Sequence, residues 1–216
     1  MSLSRKIFIK KNLFSNINLR TFSNDIKHEK KSAFDRKPLT EEERKQLIKK
    51  IIRVDHMGEL AADRIYAGQY CVLKGSPISS VIEHMWKEEK HHLTTFERII
   101  EKKNMSPSIF APVFNALAFG LGAGTAMISK EAAMACTIAV EELIVQHYNE
   151  QIKELVSDDP ALHKDLLKTI SKFRDEELEH HDTGIEYDGL KTPGYDILKG
   201  VIQGGCKAAI WITEKI

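Results

Sequence analysis

Met85-Trp-Lys-Glu-Glu-Lys-His-His92 and Phe173-Arg-Asp-Glu-Glu-Leu-Glu-His-His-Asp182 are the stretches that decide the fold. Each holds Glu-x-x-His, as Glu89 with His92 and Glu177 with His180. At i and i+3 the two side chains share one helix face about a turn apart, so both can reach one metal ion. A single such motif says little; its register says more. Helical spacing through Glu89 runs Ile78, Ile82, Met85, Glu89, His92, Phe96 and Ile99, apolar at every other position. Spacing through Glu88 and His91 runs Val81, His84, Thr95 and Arg98, and reads as a solvated face. The second stretch behaves alike: Leu166, Ile170, Phe173, Glu177, His180 and Gly184 face inward, while Thr169, Lys172, Glu176 and Glu179 read as facing water.

Two more helices supply acids. Glu141 lies on the apolar line Met134, Ile138, Val145, Tyr148, Ile152 and Leu155, whereas Glu142 keeps company with Ala135, Gln146, Asn149 and Lys153. Glu141 is therefore the inward acid. The first helix offers Ile48, Ile52, Asp55, Glu59, Ala62 and Tyr66, with His56 three residues before Glu59. Two acids fall on that line, so Glu59 is the least strongly singled out. Buried carboxylates without partners cost several kcal/mol or take up a proton. No Lys or Arg lies on these four lines to pair with them. Two metal ions meet the need, with Glu59, Glu89, His92, Glu141, Glu177 and His180 as ligands, one Glu from each of two helices and a Glu-x-x-His from each of the others. The oxygen-rich set suits iron or manganese better than zinc. Asp55, His147 and Tyr148 are candidates to support these ligands or to face a substrate.

The helix ends are legible too. Thr40-Glu41-Glu42-Glu43 is a capping box that starts a helix reaching about Lys74. Gly75-Ser76-Pro77 divides it from a second over about 78–103, and a third long helix ends near Val156. Asp159-Pro160 opens a fourth that runs to about Glu186, and a last helix is expected over 194–215. Long helices and short joints predict an all-α up-down bundle. Between the second and third long helices, residues 109–128 carry no charge, and Phe119-Gly-Leu-Gly-Ala-Gly124 is rich in glycine. Three readings compete: an element lying in a membrane face, an element buried through its glycines, and a membrane span. Ile202, Ile210 and Trp211 can add to the same apolar face.

The chain has 216 residues and a net charge of +1, so one domain is expected and no basic field points to nucleic acid. Cys71, Cys136 and Cys206 are far apart, which fits a reducing compartment and excludes a thiolate zinc knuckle. Residues 1–24 carry Arg5, Lys6, Lys10, Lys11 and Arg20 and no acid. That is the composition of a mitochondrial presequence, with Arg20-Thr-Phe-Ser23 as its cleavage site. Residues 1–36 are thus expected to be presequence and lead-in, and residues 37–216 the folded domain.

With Arg53-Val-Asp-His-Met-Gly-Glu59, Tyr66-Ala-Gly-Gln69, Gly120-Leu-Gly-Ala-Gly-Thr125 and Ala135-Cys-Thr-Ile-Ala-Val-Glu-Glu142 added, six ordered motifs resemble the demethoxyubiquinone hydroxylases of ubiquinone biosynthesis. The resemblance runs from about Ile48 to the C-terminus and places that family's ligands on the same six residues. It implies a ferritin-like four-helix bundle with additional apolar, membrane-facing helices. It also implies a di-iron monooxygenase that uses O2 to hydroxylate the ring of a demethoxyubiquinone-type lipid, with electrons ultimately from NADH. Its expected place is peripheral, on the matrix side of the mitochondrial inner membrane, beside a lipid-binding accessory protein and other quinone-biosynthesis proteins. The chain has no Gly-rich nucleotide fingerprint. The rival reading is a ferritin-like iron oxidase without an organic substrate, which has no need of the uncharged segment.

Overall fold

The structure, a computed structural model, describes residues 39–215. The expected presequence, its cleavage site and the lead-in to residue 36 lie outside the described residues. The described chain forms helices α1 (Glu41–Leu73), α2 (Ser79–Lys102), α3 (Ala111–Ile128), α4 (Lys130–Asp158), α5 (Lys164–Glu186) and α6 (Tyr195–Lys215), with one 3-10 turn at Gly189–Lys191. No strand occurs among the described residues.

Local chemistry sets the boundaries. The Thr40 hydroxyl accepts from the Glu43 amide at 3.3 Å while Glu43 takes the Thr40 N–H at 2.8 Å, closing the expected capping box. Gly75, in the left-handed region at φ 82°, turns the chain out of α1. Ser129 caps α4 by accepting from the Ala132 amide at 3.0 Å. The fourth bundle helix begins at Lys164 rather than at Asp159-Pro160, because Asp159 first closes a turn by accepting from the Ala161 amide at 2.9 Å.

Helices α1 and α2 form one antiparallel hairpin and α4 and α5 another, and together they make the ferritin-like bundle. Helix α3 bridges the hairpins and packs on α1, and α6 packs on α4. Glycine permits the α1–α3 contact. A Cβ on Gly122 would overlap the Ile65 carbonyl, and one on Gly68 would overlap the Phe119 carbonyl. The glycines of α3 therefore do not break it: they lower its intrinsic propensity, and backbone-to-backbone packing offsets the loss. The buried reading of this segment holds for one side of the helix. One face is buried through Gly122, while Val113, Leu117, Met127 and Ile128 stand exposed, as do Ile197, Val201 and Trp211 of α6.

Three apolar clusters fill the interior. One gathers Tyr66, Ile82, Met85 and Met134; a second gathers Ile51, Phe96, Tyr148, Leu155, Ile170 and Phe173. A third, with Ile65, Ala118, Val140 and Ile202, lies beneath α3 and α6. Tyr66 belongs to the first and Tyr148 to the second, and both reach the acids between them.

Candidate metal centre

All six inward residues converge. Glu59, Glu89, His92 and Glu177 bring ligand atoms within 4.8 Å of one another, and so do Glu89, Glu141, Glu177 and His180. Glu89 and Glu177 belong to both groups, so one Glu-x-x-His from each hairpin links the two positions. All six side chains are buried, at no more than 2% exposure.

The imidazoles are oriented from both sides. His92 Nδ1 lies 3.0 Å from Glu177 Oε1 and 3.4 Å from Glu59 Oε2, and its Nε2 lies 3.0 Å from Glu176 Oε2. His180 Nδ1 lies 2.9 Å from Glu89 Oε1, and its Nε2 lies 3.0 Å from Glu88 Oε2. Each ring turns Nδ1 to the centre and Nε2 to a carboxylate of the opposite Glu-x-x-His helix. This corrects the sequence reading of Glu88 and Glu176 as a solvated face: they are half-buried. Side chains span the gap between α2 and α5: an acid one step around from the ligand line on each helix reaches the imidazole of the other. The signal for it is the doubled acid, Glu88-Glu89 and Glu176-Glu177, ahead of each His at identical spacing.

Tyrosines hold the remaining acids. Tyr66 donates to Glu141 Oε1 at 2.8 Å, and Tyr148 donates to Glu59 Oε1. Tyr148 thus sits where a supporting residue was expected, whereas Tyr66 was read only as part of an apolar line. Asp55 is buried and accepts from Gln151 Nε2 at 2.6 Å; His147 lies beside them, half-exposed, at the edge of a cleft. His56 is buried on α1 away from the clustered ligand atoms.

The cluster demands positive charge. Burial pushes the Glu59 carboxyl up, with Glu177 adding to the shift against the pull of His92. Burial, then Glu177 and Glu89, push Glu141 well above the carboxylate range. Burial alone would push the imidazoles down, yet Glu177, Glu59 and Glu89 raise His92 strongly, and Glu177, Glu88 and Glu89 do the same to His180. Six atoms that face the centre have no hydrogen-bond partner among the described residues: Glu59 Oε2, both oxygens of Glu89, His92 Nδ1, Glu141 Oε2 and Glu177 Oε1. Such orphans are costly unless a cation meets them. Four carboxylates and two imidazoles around two linked positions fit a pair of metal ions with oxygen-rich ligation.

The sequence pattern of the family described as Ubiquinone biosynthesis protein COQ7 matches residues 46–213, a span that holds all six clustered residues. The chain belongs to this family. Over 173 residues it is 62% identical to the NADPH-dependent 3-demethoxyubiquinone 3-hydroxylase, mitochondrial, of Caenorhabditis elegans, covering 80% of this chain and 92% of that one. Its identity to the human protein of the same name is 50% over 169 residues, 78% of each chain. The 3-demethoxyubiquinol 3-hydroxylase of Rhodospirillum rubrum is 41% identical over 171 residues, 79% of each chain.

Proposed function

We propose that this chain is a di-iron monooxygenase that hydroxylates the ring of a demethoxyubiquinone-type lipid in ubiquinone biosynthesis. The single observation that carries the reading is the dry, six-ligand cluster with its unpartnered inward atoms, in a chain 62% identical to a relative named as such a hydroxylase. Glu59, Glu89 and His92 would hold one iron and Glu141, Glu177 and His180 the other, with Glu89 and Glu177 shared. The iron pair supplies activation of O2 for insertion of one atom into a ring C–H bond.

The protein's own residues supply geometry and dryness. Glu176 and Glu88 hold the Nε2–H of His92 and His180, which leaves each Nδ1 lone pair directed at the centre. Tyr148 and Tyr66 fix one oxygen each of Glu59 and Glu141, leaving the other free to ligate. An apolar pocket of about 80 Å³ lies beside this wall, lined by Met57, Gly58, Phe114, Val140, Cys206 and Ile210. Its inner side is built from neighbours of Glu59 and Glu141, and its outer side from α3 and α6. A quinone head would enter from this side while the isoprenoid tail remains among the exposed apolar residues of those helices. That outer face would rest on the mitochondrial inner membrane from the matrix side, consistent with relatives named mitochondrial. Residues 1–36 would serve as the import presequence and lead-in to the folded domain. Electrons would come from a nicotinamide dinucleotide. The Caenorhabditis elegans and human relatives are named NADPH-dependent, where the sequence resemblance implies NADH. A lipid-binding accessory protein of the same pathway would deliver the substrate.

The test is direct. Protein loaded with ferrous iron is given O2, reductant and a short-tail demethoxyquinone, and the product is analysed by mass spectrometry. One added ring oxygen, lost together with iron binding in Glu177→Ala, is the expected result. Growth of a ferric core with unchanged quinone would instead establish the iron-oxidase reading.

A further inference from the structure

The metal cluster is built twice. Each of Glu59, Tyr66 and Gln69 on α1 has a counterpart 82 positions on, in Glu141, Tyr148 and Gln151 on α4. Glu88, Glu89 and His92 on α2 recur 88 positions on as Glu176, Glu177 and His180 on α5. The contacts are reciprocal: each Tyr serves the other half's Glu, and each His leans on the other half's outer acid. Even the glutamines cross over, Gln69 to Thr137 at 3.4 Å and Gln151 to Asp55 at 2.6 Å.

Two departures from this symmetry stand side by side. Asp55 occupies the place that Thr137 holds in the other half, and His147 the place of Ile65. The Ile65 side is blind: Ile65 is buried, and Gln69 is 0% exposed with its amide on the Ala133 carbonyl. The other side opens. The His147 side chain is 21% exposed and lines a cleft of about 400 Å³ together with Lys50, Glu150, Glu154, Trp211 and Glu214. Asp55 is one helical turn before Glu59, with its side chain fully buried and Oδ2 without a partner. Between them Gln151 Nε2 donates to Asp55 Oδ1 at 2.6 Å and to His147 Nε2 at 2.8 Å. It holds those two acceptors 3.9 Å apart. The Gln151 carbonyl Oε1 is buried and has no partner.

We propose that His147, Gln151 and Asp55 form a latched proton route from the cleft to the oxygen chemistry at the metal cluster. The inference rests on the hydroxylase reading, whose balance requires it. A ring C–H, O2, a nicotinamide hydride and one proton give the ring C–OH, water and the oxidised nicotinamide. The hydride brings both electrons, so the proton must come from solvent into a dry site whose inward acids are ligands. In the latched state Gln151 gives an N–H to each neighbour. When His147 takes a proton at Nε2 it can no longer accept. The amide then swings out from between the two, and the imidazolium N–H turns directly to Asp55 Oδ1, 3.9 Å from Nε2 in the latched state. The His147 N–H bond breaks as an Asp55 O–H bond forms, and Asp55 passes the proton to the oxygen atom that leaves as water.

Proton affinities support the transfer. Burial raises Asp55 well above its usual range, Glu59 adds to the rise, and the Gln151 bond opposes it. Burial lowers His147, as does Lys50 of α1, against Glu150 and Glu154 of α4 and Glu214 of α6. Both shifts oppose the ordinary order of an imidazole and a carboxyl, and so favour passing the proton from His147 to Asp55.

The experiment uses the iron-loaded full chain with Asp55→Asn and His147→Ala. Asp55→Asn is expected to keep its iron and lose tenfold or more in hydroxylation, with reducing equivalents diverted to hydrogen peroxide. His147→Ala is expected to regain activity with added imidazole, which fits the cleft. In the diamagnetic zinc-loaded protein, the His147 titration followed by NMR should move when Asp55 becomes Asn. Full coupling in Asp55→Asn, loss of its iron, no rescue by imidazole, or an unmoved His147 titration would each overturn the route. A wild-type protein that hydroxylates no quinone would instead defeat the hydroxylase reading itself.

Discussion

Removing the carboxylate behind one imidazole should weaken iron binding about tenfold while leaving the fold intact. The clearest case is Glu88→Ala. Glu88 Oε2 accepts the Nε2–H of His180 at 3.0 Å, and in turn that imidazole lowers the Glu88 carboxyl below its usual range. A hydrogen bond to a charged group contributes roughly 1.5–3 kcal/mol when fully buried. The Glu88 side chain is 33% exposed, so water replaces part of the loss and roughly 1–1.5 kcal/mol is the appropriate figure. About 1.4 kcal/mol is tenfold in affinity, at the low end of what ligand-supporting groups contribute. Glu88→Gln keeps an acceptor without the charge and should recover roughly half of that free energy. Glu179→Ala, on the exposed side of α5, is the control and should bind iron as the parent does. Competition with a calibrated chelator measures affinity, and circular dichroism with thermal melting reports the fold. Glu176→Ala should reproduce the effect through His92. Wild-type affinity in both alanine variants would refute the claim that these acids position the ligands.

Three other outcomes follow from separate parts of the structure. Gly122→Ala sets a Cβ against the Ile65 backbone and should cost roughly 3 kcal/mol, whereas Gly124→Ala meets open space and should gain up to about 1 kcal/mol; paired thermal melts decide it. Asp158 holds Arg44 through two bonds of 2.6 and 2.9 Å and His163 at 2.7 Å, and Arg44 foremost depresses its carboxyl far below the usual range. Its stabilisation is therefore fully present above the unfolded value of about 3.9 and is lost as pH falls toward the folded value. Asp158→Asn should melt roughly 4–8 °C below the parent at pH 7, from about 2 kcal/mol, and the gap should close in strong acid. Gly58 lines the apolar pocket on the proposed quinone side, and a Cβ added there meets nothing within 4 Å, so Gly58→Leu should fill it. Hydroxylation should lose tenfold or more in kcat/KM, about 1.4 kcal/mol, with iron content unchanged; equal efficiency with a short-tail quinone would remove this pocket from the substrate's path.

Much of this protein is legible in its sequence. A helix repeats every 3.6 residues, so an acid on an otherwise apolar line must face the core wherever the partner helix lies. Periodicity alone therefore separated Glu89 from Glu88, Glu141 from Glu142 and His180 from His181. Glu59 was the weakest choice because Asp55 shares its line, and the structure gives the two acids different neighbours: Glu59 meets His92 and Tyr148, whereas Asp55 meets Gln151. What periodicity cannot supply is distance between helices. Glu88 and Glu176 read as solvated because their own helices place them off the inward line, and only the placement of α2 opposite α5 across the cluster makes them partners of the opposite imidazoles. The glycines of α3 were similarly ambiguous, since a weak helix former and a close-packing residue have the same sequence, and only the backbone of α1 against Gly122 distinguishes them. The sequence by itself determined which side chains face inward, because that depends on one helix at a time. Which of them meet, at what spacing and beside which cleft, depends on several helices together, and the tertiary structure alone decided it.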